Sequence, residues 1–133
     1  MHTSRLEVRF HELDPYGHVN HALYLSYFET ARIDALVSIG CGLERLEADG
    51  FHLIVVEAHI RYIKPSTYGN VLMVQSQIVQ TGLASARWHQ RLTRDDDLIA
   101  TLDTRGAFTN REGRPERIPE HYLEMLGPLL AQA

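Results

Sequence analysis

The sequence has 133 residues, 44% hydrophobic and 23% charged, a composition that suits one globular domain spanning residues 1–133 around a single core. A net charge of −4 excludes a global basic field for nucleic acid, and no apolar run is long enough to insert across a bilayer. The one cysteine, Cys41, excludes an intrachain disulfide, sits in no activating context and fits a reducing compartment; with no leader-like opening, a cytoplasmic location is expected.

In chain order, Leu6 to His11 alternates and predicts a short first strand. Asp14-Pro15-Tyr16-Gly17 is turn chemistry, because Pro fixes its backbone angle and Gly tolerates a positive one. Asn20 is a good N-cap, and Leu25, Phe28, Ala31 and Ala35 recur at helical spacing, which predicts a helix from about Ala22 to Ile39. Gly40-Cys41-Gly42 stops it, Leu43 to Ala48 adds a further helical turn, and Asp49-Gly50 is another turn.

Leu53 to Ile63 predicts a long strand with Val56, Ala58, Ile60 and Tyr62 on one face and Glu57, His59 and Arg61 on the other, ended by Pro65. Val71 to Gln80 is the next strand. Ala84 to Thr93 follows, with Ala84, Ala86, Trp88 and Leu92 facing one way and Ser85, Arg87, His89 and Arg91 the other. Arg94 to Asp97 reads as a solvated hairpin loop, since its adjacent Asp residues lack the alternate spacing of a calcium site. Leu98 to Phe108 is the last strand, and Pro119 opens a short helix. Consecutive strands at this spacing favour an antiparallel sheet, and the one long helix needs that sheet to bury its apolar stripe. The fold class is therefore α+β, a sheet wrapped around one helix. Its open edges and uncovered face predict at least a homodimer.

The chemistry concentrates before the long helix. Asp14 sits in a tight loop that faces the helix start, where unpaired N–H donors and a partial positive charge gather. A carboxylate beside aimed N–H groups suits acyl transfer, with one group to attack or activate water and another to hold an oxyanion. The eight histidines include no pairing with Cys or Asp at metal-ligand spacing, so no metal site is expected.

The run from Asp14 to Glu29 resembles the signature Asp-x-x-Gly-His-Val-Asn-(His/Asn)-x-x-Tyr-x-x-(Tyr/Phe)-x-Glu of the hotdog-fold thioesterases, in the branch of the 4-hydroxybenzoyl-CoA thioesterases. Asp14, Gly17, His18, Val19, Asn20, Tyr24 and Glu29 match it as they stand. Ile60 to Asn70 resembles the family's Tyr-x-(Arg/Lys)-Pro-x-x-x-Gly-Asp segment through Tyr62, Lys64, Pro65 and Gly69, with Asn70 in place of the Asp.

The resemblance implies a hotdog fold, hydrolysis of an acyl-CoA to free acid and CoA, no cofactor, and a homodimer or homotetramer. It implies Asp14 as nucleophile or general base and backbone N–H groups near His21 and Ala22 as the oxyanion hole, with Gly17 allowing close approach of the main chain. His18 is read as a loop-stabilising partner before a substrate contact, and Asn20 as a cap that also orients Asp14. Tyr24 and Phe28 share a helix face and suit the core first, an acyl pocket second. Glu29 is a structural carboxylate or reserve base. Arg61, Lys64, Arg87 and Arg91 are the candidate CoA phosphate contacts, Lys64 foremost. The rival readings are an acyl carrier protein donor, a hotdog dehydratase or hydratase, and a non-catalytic acyl-CoA-binding module.

Overall fold

The computed structural model describes residues 1–131. Five strands form one antiparallel sheet: β1 (His2–Glu7), β2 (Phe51–Tyr62), β3 (Val71–Thr81), β4 (Ser85–Arg94) and β5 (Asp97–Asn110), in the order β1-β3-β4-β5-β2. Three helices accompany it: α1 (His21–Ser38), α2 (Leu43–Ala48) and α3 (Glu120–Met125). The α+β hotdog architecture that the sequence predicts is the one observed.

Helix α1 lies on the inner face and buries Tyr24, Tyr27, Phe28, Ala31, Ala35 and Leu36. Its first half packs with Val8, Leu72, Val74, Leu92 and Leu102 in one cluster. Its second half joins Trp88, Phe108, Leu46 and Tyr122 in another. Fully burying each such side chain contributes about 1.5–3 kcal/mol, so this face is what holds the helix against the sheet. Of the predicted stripe, Phe28, Ala31 and Ala35 are buried, whereas Leu25 is 42% exposed and its neighbour Tyr24 is buried in its place.

The first strand differs from its predicted span. It runs over His2–Glu7, and Phe10–Glu12 forms a 3-10 turn instead. The cause is local: the Glu12 carboxylate accepts from the Arg9 N–H at 2.7 Å and bends the chain. In β2 the alternation breaks at a bulge between Val55 and Glu57, which puts the extra residue Val56 out of the predicted parity. Being an edge strand, β2 leaves Leu53, Ile54, Val55 and Val56 between 40% and 51% exposed. On β4 the inward face also contains a fully buried Gln90, a polar core residue the sequence pattern does not announce. The hairpin at Asp95 and Asp96 is a tight one, with Asp95 at φ 53.

Candidate active site

Two loops meet at the start of α1. The first, from Leu13 to Val19, closes through a bridge between those two residues. Asp14 donates its N–H to the His18 carbonyl at 2.7 Å, and Gly17 donates to the Asp14 carbonyl at 3.1 Å. Gly17 has φ +79, the left-handed region that makes this reversal possible. The Asp14 side chain is fixed by the same loop: Oδ1 accepts from the Tyr16 N–H at 2.8 Å and the His18 N–H at 3.1 Å. Oδ2 has no hydrogen-bond partner among the described residues. One carboxylate oxygen is thus an anchor and the other is free.

The second loop is the Lys64–Asn70 segment. It packs directly on the first through a bridge between His18 and Thr67 and a bond from the Val19 N–H to the Ser66 carbonyl at 2.9 Å. Asn70 closes it by accepting from the Thr67 N–H at 2.8 Å. An amide oxygen accepts that bond as a carboxylate would, so Asn70 in place of Asp leaves the turn intact. Arg94 holds the loop from the sheet, donating to the Pro65 carbonyl at 2.9 Å.

A buried carboxylate supports the first loop. Glu12 is 4% exposed and accepts from the Arg9 side chain at 2.9 Å and the Tyr27 hydroxyl at 2.9 Å. Burial pushes its carboxyl up, but the bonds from Arg9 and Tyr27 outweigh burial and hold it below the usual carboxylate range. Burial and the bond to Glu12 push the Tyr27 hydroxyl well up, so it stays a donor. The Glu12 carbonyl also accepts from the Asn20 N–H at 2.9 Å, which ties this support to the helix cap. Sequence reasoning misses Glu12 and Arg94; the Arg9-Glu12 spacing was the only local signal.

At the helix start, Asn20 Oδ1 accepts from the Ala22 N–H at 3.0 Å, the predicted cap. Its carbonyl accepts from the Leu23 N–H at 2.9 Å. The Ala22 N–H is therefore occupied, and of the two donors the sequence points to, the His21 N–H is the one without a partner among the described residues. The Tyr62 hydroxyl donates to the His21 carbonyl at 2.9 Å and locks the end of β2 to this point.

The remaining predicted site residues are dispersed. Tyr24 and Phe28 are 4% and 0% exposed, in the core. Tyr24 meets Tyr62 edge-on, with ring centroids 5.6 Å apart. Lys64 pairs with Asp97 at 2.7 Å. Arg87 lies 3.7 Å from Glu57 on the outer sheet face. It is seven positions along β4 from Arg94, roughly 23 Å, and so is not brought to the Asp14 loop of its own chain. Arg61 and Arg91 share that outer face, both opposite Thr101. Glu29 is exposed on α1 and borders a cavity.

That cavity, about 160 Å³, lies between the second half of α1, α2 and the inner sheet face, walled by Leu36, Leu46, Trp88 and Phe108 among others. Arg32 and Thr104 also line it. Among the described residues, no helix is long and apolar enough to cross a membrane, and no three His, Cys, Asp or Glu side chains gather as a metal-ligand set.

A family model described as the thioesterase-like superfamily matches residues 8–126, so both loops, α1 and strands β2 to β5 fall within it. The chain belongs to that superfamily and is a thioester-hydrolysing enzyme of the hotdog fold. It is similar to the long-chain acyl-CoA thioesterase FadM of Escherichia coli, 32% identical over 90 residues that cover 68% of this chain and 67% of FadM. A chloroplastic acyl-acyl carrier protein thioesterase of Arabidopsis thaliana is 27% identical over 98% of this chain and 71% of its own. A thioesterase of Thermus thermophilus, solved with coenzyme A and zinc, superimposes with a TM-score of 0.83 at 32% identity, over 96% of this chain and 92% of that one.

Proposed function

We propose that the enzyme hydrolyses acyl-CoA thioesters, with Asp14 as the reacting carboxylate and the His21 N–H, backed by the α1 dipole, as the oxyanion donor. One observation carries this reading: Asp14 is held by Oδ1 while Oδ2 is free, in the closed loop that leads directly into the N-terminus of α1. As a general base, Oδ2 takes a proton from water as the water oxygen bonds to the thioester carbon. The carbonyl oxygen becomes negative and is met by the helix start. Collapse of this intermediate breaks the C–S bond, and the departing sulfur takes the proton from Asp14, leaving a free acid and the CoA thiol. As a nucleophile, the same oxygen bonds to the carbonyl carbon, the C–S bond breaks and CoA leaves as the thiolate; water then cleaves the mixed anhydride to the free acid and the Asp14 carboxylate, its proton going to the thiolate. A single turnover in isotope-labelled water separates the routes, because only the second puts label into Asp14.

FadM's acyl-CoA activity and the coenzyme A in the Thermus thioesterase support the donor class. The Arabidopsis relative favours a second reading, in which an acyl carrier protein delivers the chain. A thiol-release assay on short, medium, long and aromatic CoA esters, run beside the matching acyl carrier protein esters, decides between them. Turnover on CoA esters supports the first; turnover on carrier esters alone overturns it.

Two copies are proposed to pair antiparallel along their β2 edges, which would cover the exposed Leu53–Val56 run. With the two-fold axis between residues 56 and 57 of β2, Tyr62 of one copy lies opposite Phe51 of the other. Tyr62 is bonded to the start of α1, and Phe51 stacks on Phe108 of the cavity wall at 4.5 Å. Such a dimer sets the Asp14 loop of one copy beside the cavity of its partner.

A further inference from the structure

Exposed aromatic rings gather at one place on the molecule. Among the described residues, the Phe, Tyr and Trp side chains that face solvent are Phe10, Tyr16, Tyr62 and Tyr68, and all four lie on the segments around the start of α1. Large apolar groups left in water together mark a contact surface. Tyr62 is engaged with the His21 carbonyl. Phe10 and Tyr68 meet each other edge to face, with ring centroids 6.0 Å apart, and still stay 75% and 65% exposed. Both stand on fixed backbone. The Leu13 N–H donates to the Phe10 carbonyl at 3.3 Å, the Gly69 N–H donates to the Val8 carbonyl at 3.1 Å, and Asn70 closes the turn that carries Tyr68.

Size and place select the occupant. Fully covering two aromatic side chains removes roughly 300–500 Å² from water, short of the roughly 800 Å² per partner of a specific protein interface. A planar ring system laid on one ring and against the edge of the other matches the pair, and the prearranged rings lose little freedom on binding. Phe10 follows β1 and Tyr68 precedes β3, at the edge of the sheet opposite β2. The dimer proposed above therefore leaves them uncovered. In that dimer the acyl group runs from the Asp14 loop toward the partner's cavity, so the other end of the thioester leaves on the side of these rings. Phe10 is four residues from Asp14, at most about 14 Å of chain. CoA spans more than this between its sulfur and its base.

We propose that Phe10 and Tyr68 form a stacking platform for the adenine ring of the CoA donor, so that the enzyme holds the nucleotide end of its substrate as well as the thioester. Every base has a π-face that an aromatic side chain can take, without a hydrogen-bond code. The proposal rests on the CoA reading above. It also separates the two donors, because an acyl carrier protein presents the same phosphopantetheine arm with no base.

The test has a kinetic arm and a binding arm. The kinetic arm compares the best CoA ester with the matching acyl-phosphopantetheine, which lacks the nucleotide. In the wild type the truncated ester has a KM at least about tenfold higher. In Phe10→Leu/Tyr68→Leu, which keeps apolar area and loses both rings, that ratio falls toward one, and Phe10→Tyr/Tyr68→Phe restores it. The binding arm titrates adenosine 3′,5′-bisphosphate by calorimetry; it binds the wild type, and at least about tenfold more weakly to the double Leu variant. A ratio near one in the wild type, or a ratio that survives the loss of both rings, overturns the proposal. A halved mass of the double Leu variant in light scattering also overturns it, because the rings then hold a second copy. If no CoA ester is cleaved while the bisphosphate binds and the variant loses it, the thioesterase assignment falls and the platform stands. If CoA esters are cleaved and the bisphosphate binds neither protein, or both equally, the platform falls and the thioesterase assignment stands.

Discussion

The Tyr27 hydroxyl donates to the buried Glu12 carboxylate at 2.9 Å, joining the body of α1 to the turn that precedes the Asp14 loop. Because the Glu12 carboxyl is held below the usual carboxylate range, its contribution to stability is complete above the unfolded value, near 4.5, and is lost as pH falls through the folded value. Glu12→Gln removes the charge-assisted bonds and is expected to lower stability by about 1–3 kcal/mol at neutral pH. It also flattens the loss of stability that the wild type shows below pH 4.5. Urea unfolding across pH 3–7 checks both; parallel pH profiles for the two proteins contradict the assignment.

The oxyanion role proposed for His21 belongs to its backbone. His21→Ala should therefore keep turnover within a few-fold, because the N–H remains. Asn20→Ala removes the bond to the Ala22 N–H and is expected to cost about 1 kcal/mol of stability. Steady-state kinetics and thermal melts on the two variants check the contrast; a large loss in His21→Ala would give the imidazole a chemical role.

Thr104→Val deletes a buried hydroxyl that has no partner, at nearly constant volume. Stability is expected to rise by about 1 kcal/mol, seen as a higher urea midpoint with an unchanged m-value. A fall in the midpoint means the hydroxyl is satisfied in solution.

Val56→Lys places a charge in the middle of the exposed β2 edge. The dimer proposed above should dissociate, which light scattering reads as a halved mass at micromolar concentration, and turnover should fall with it. An unchanged mass moves the interface elsewhere.

The features legible in the sequence are those set by near neighbours. Asn20 caps the helix two residues on, Asp14-Pro15-Tyr16-Gly17 forms its turn from its own backbone, and α1 begins and ends within a residue of its predicted span. Features that depend on distant partners are not legible. Glu12 meets Tyr27 fifteen residues away, and Arg94 reaches Pro65 across the sheet edge. The bulge at Val56 shifts strand parity without a Gly or Pro to mark it. The Arg32-Gln90 pair spans fifty-eight residues, so the polar floor of the cavity exists only once α1 has docked. Charge suggests Arg87 as a phosphate contact, and charge together with the Tyr-x-Lys-Pro segment suggests Lys64, yet each meets an acidic neighbour, Glu57 and Asp97, that only the tertiary fold supplies.

If the free oxygen of Asp14 performs the hydrolysis, Asp14→Asn removes the reaction without disturbing the loop. The amide keeps Oδ1 as acceptor for Tyr16 and His18 and so keeps the loop, while removing the basic oxygen. Thiol release from the best CoA ester should fall at least about a hundredfold, with KM little changed and the melt intact. Hydrolysis at the wild-type rate by a folded Asp14→Asn protein would assign the reaction to another group.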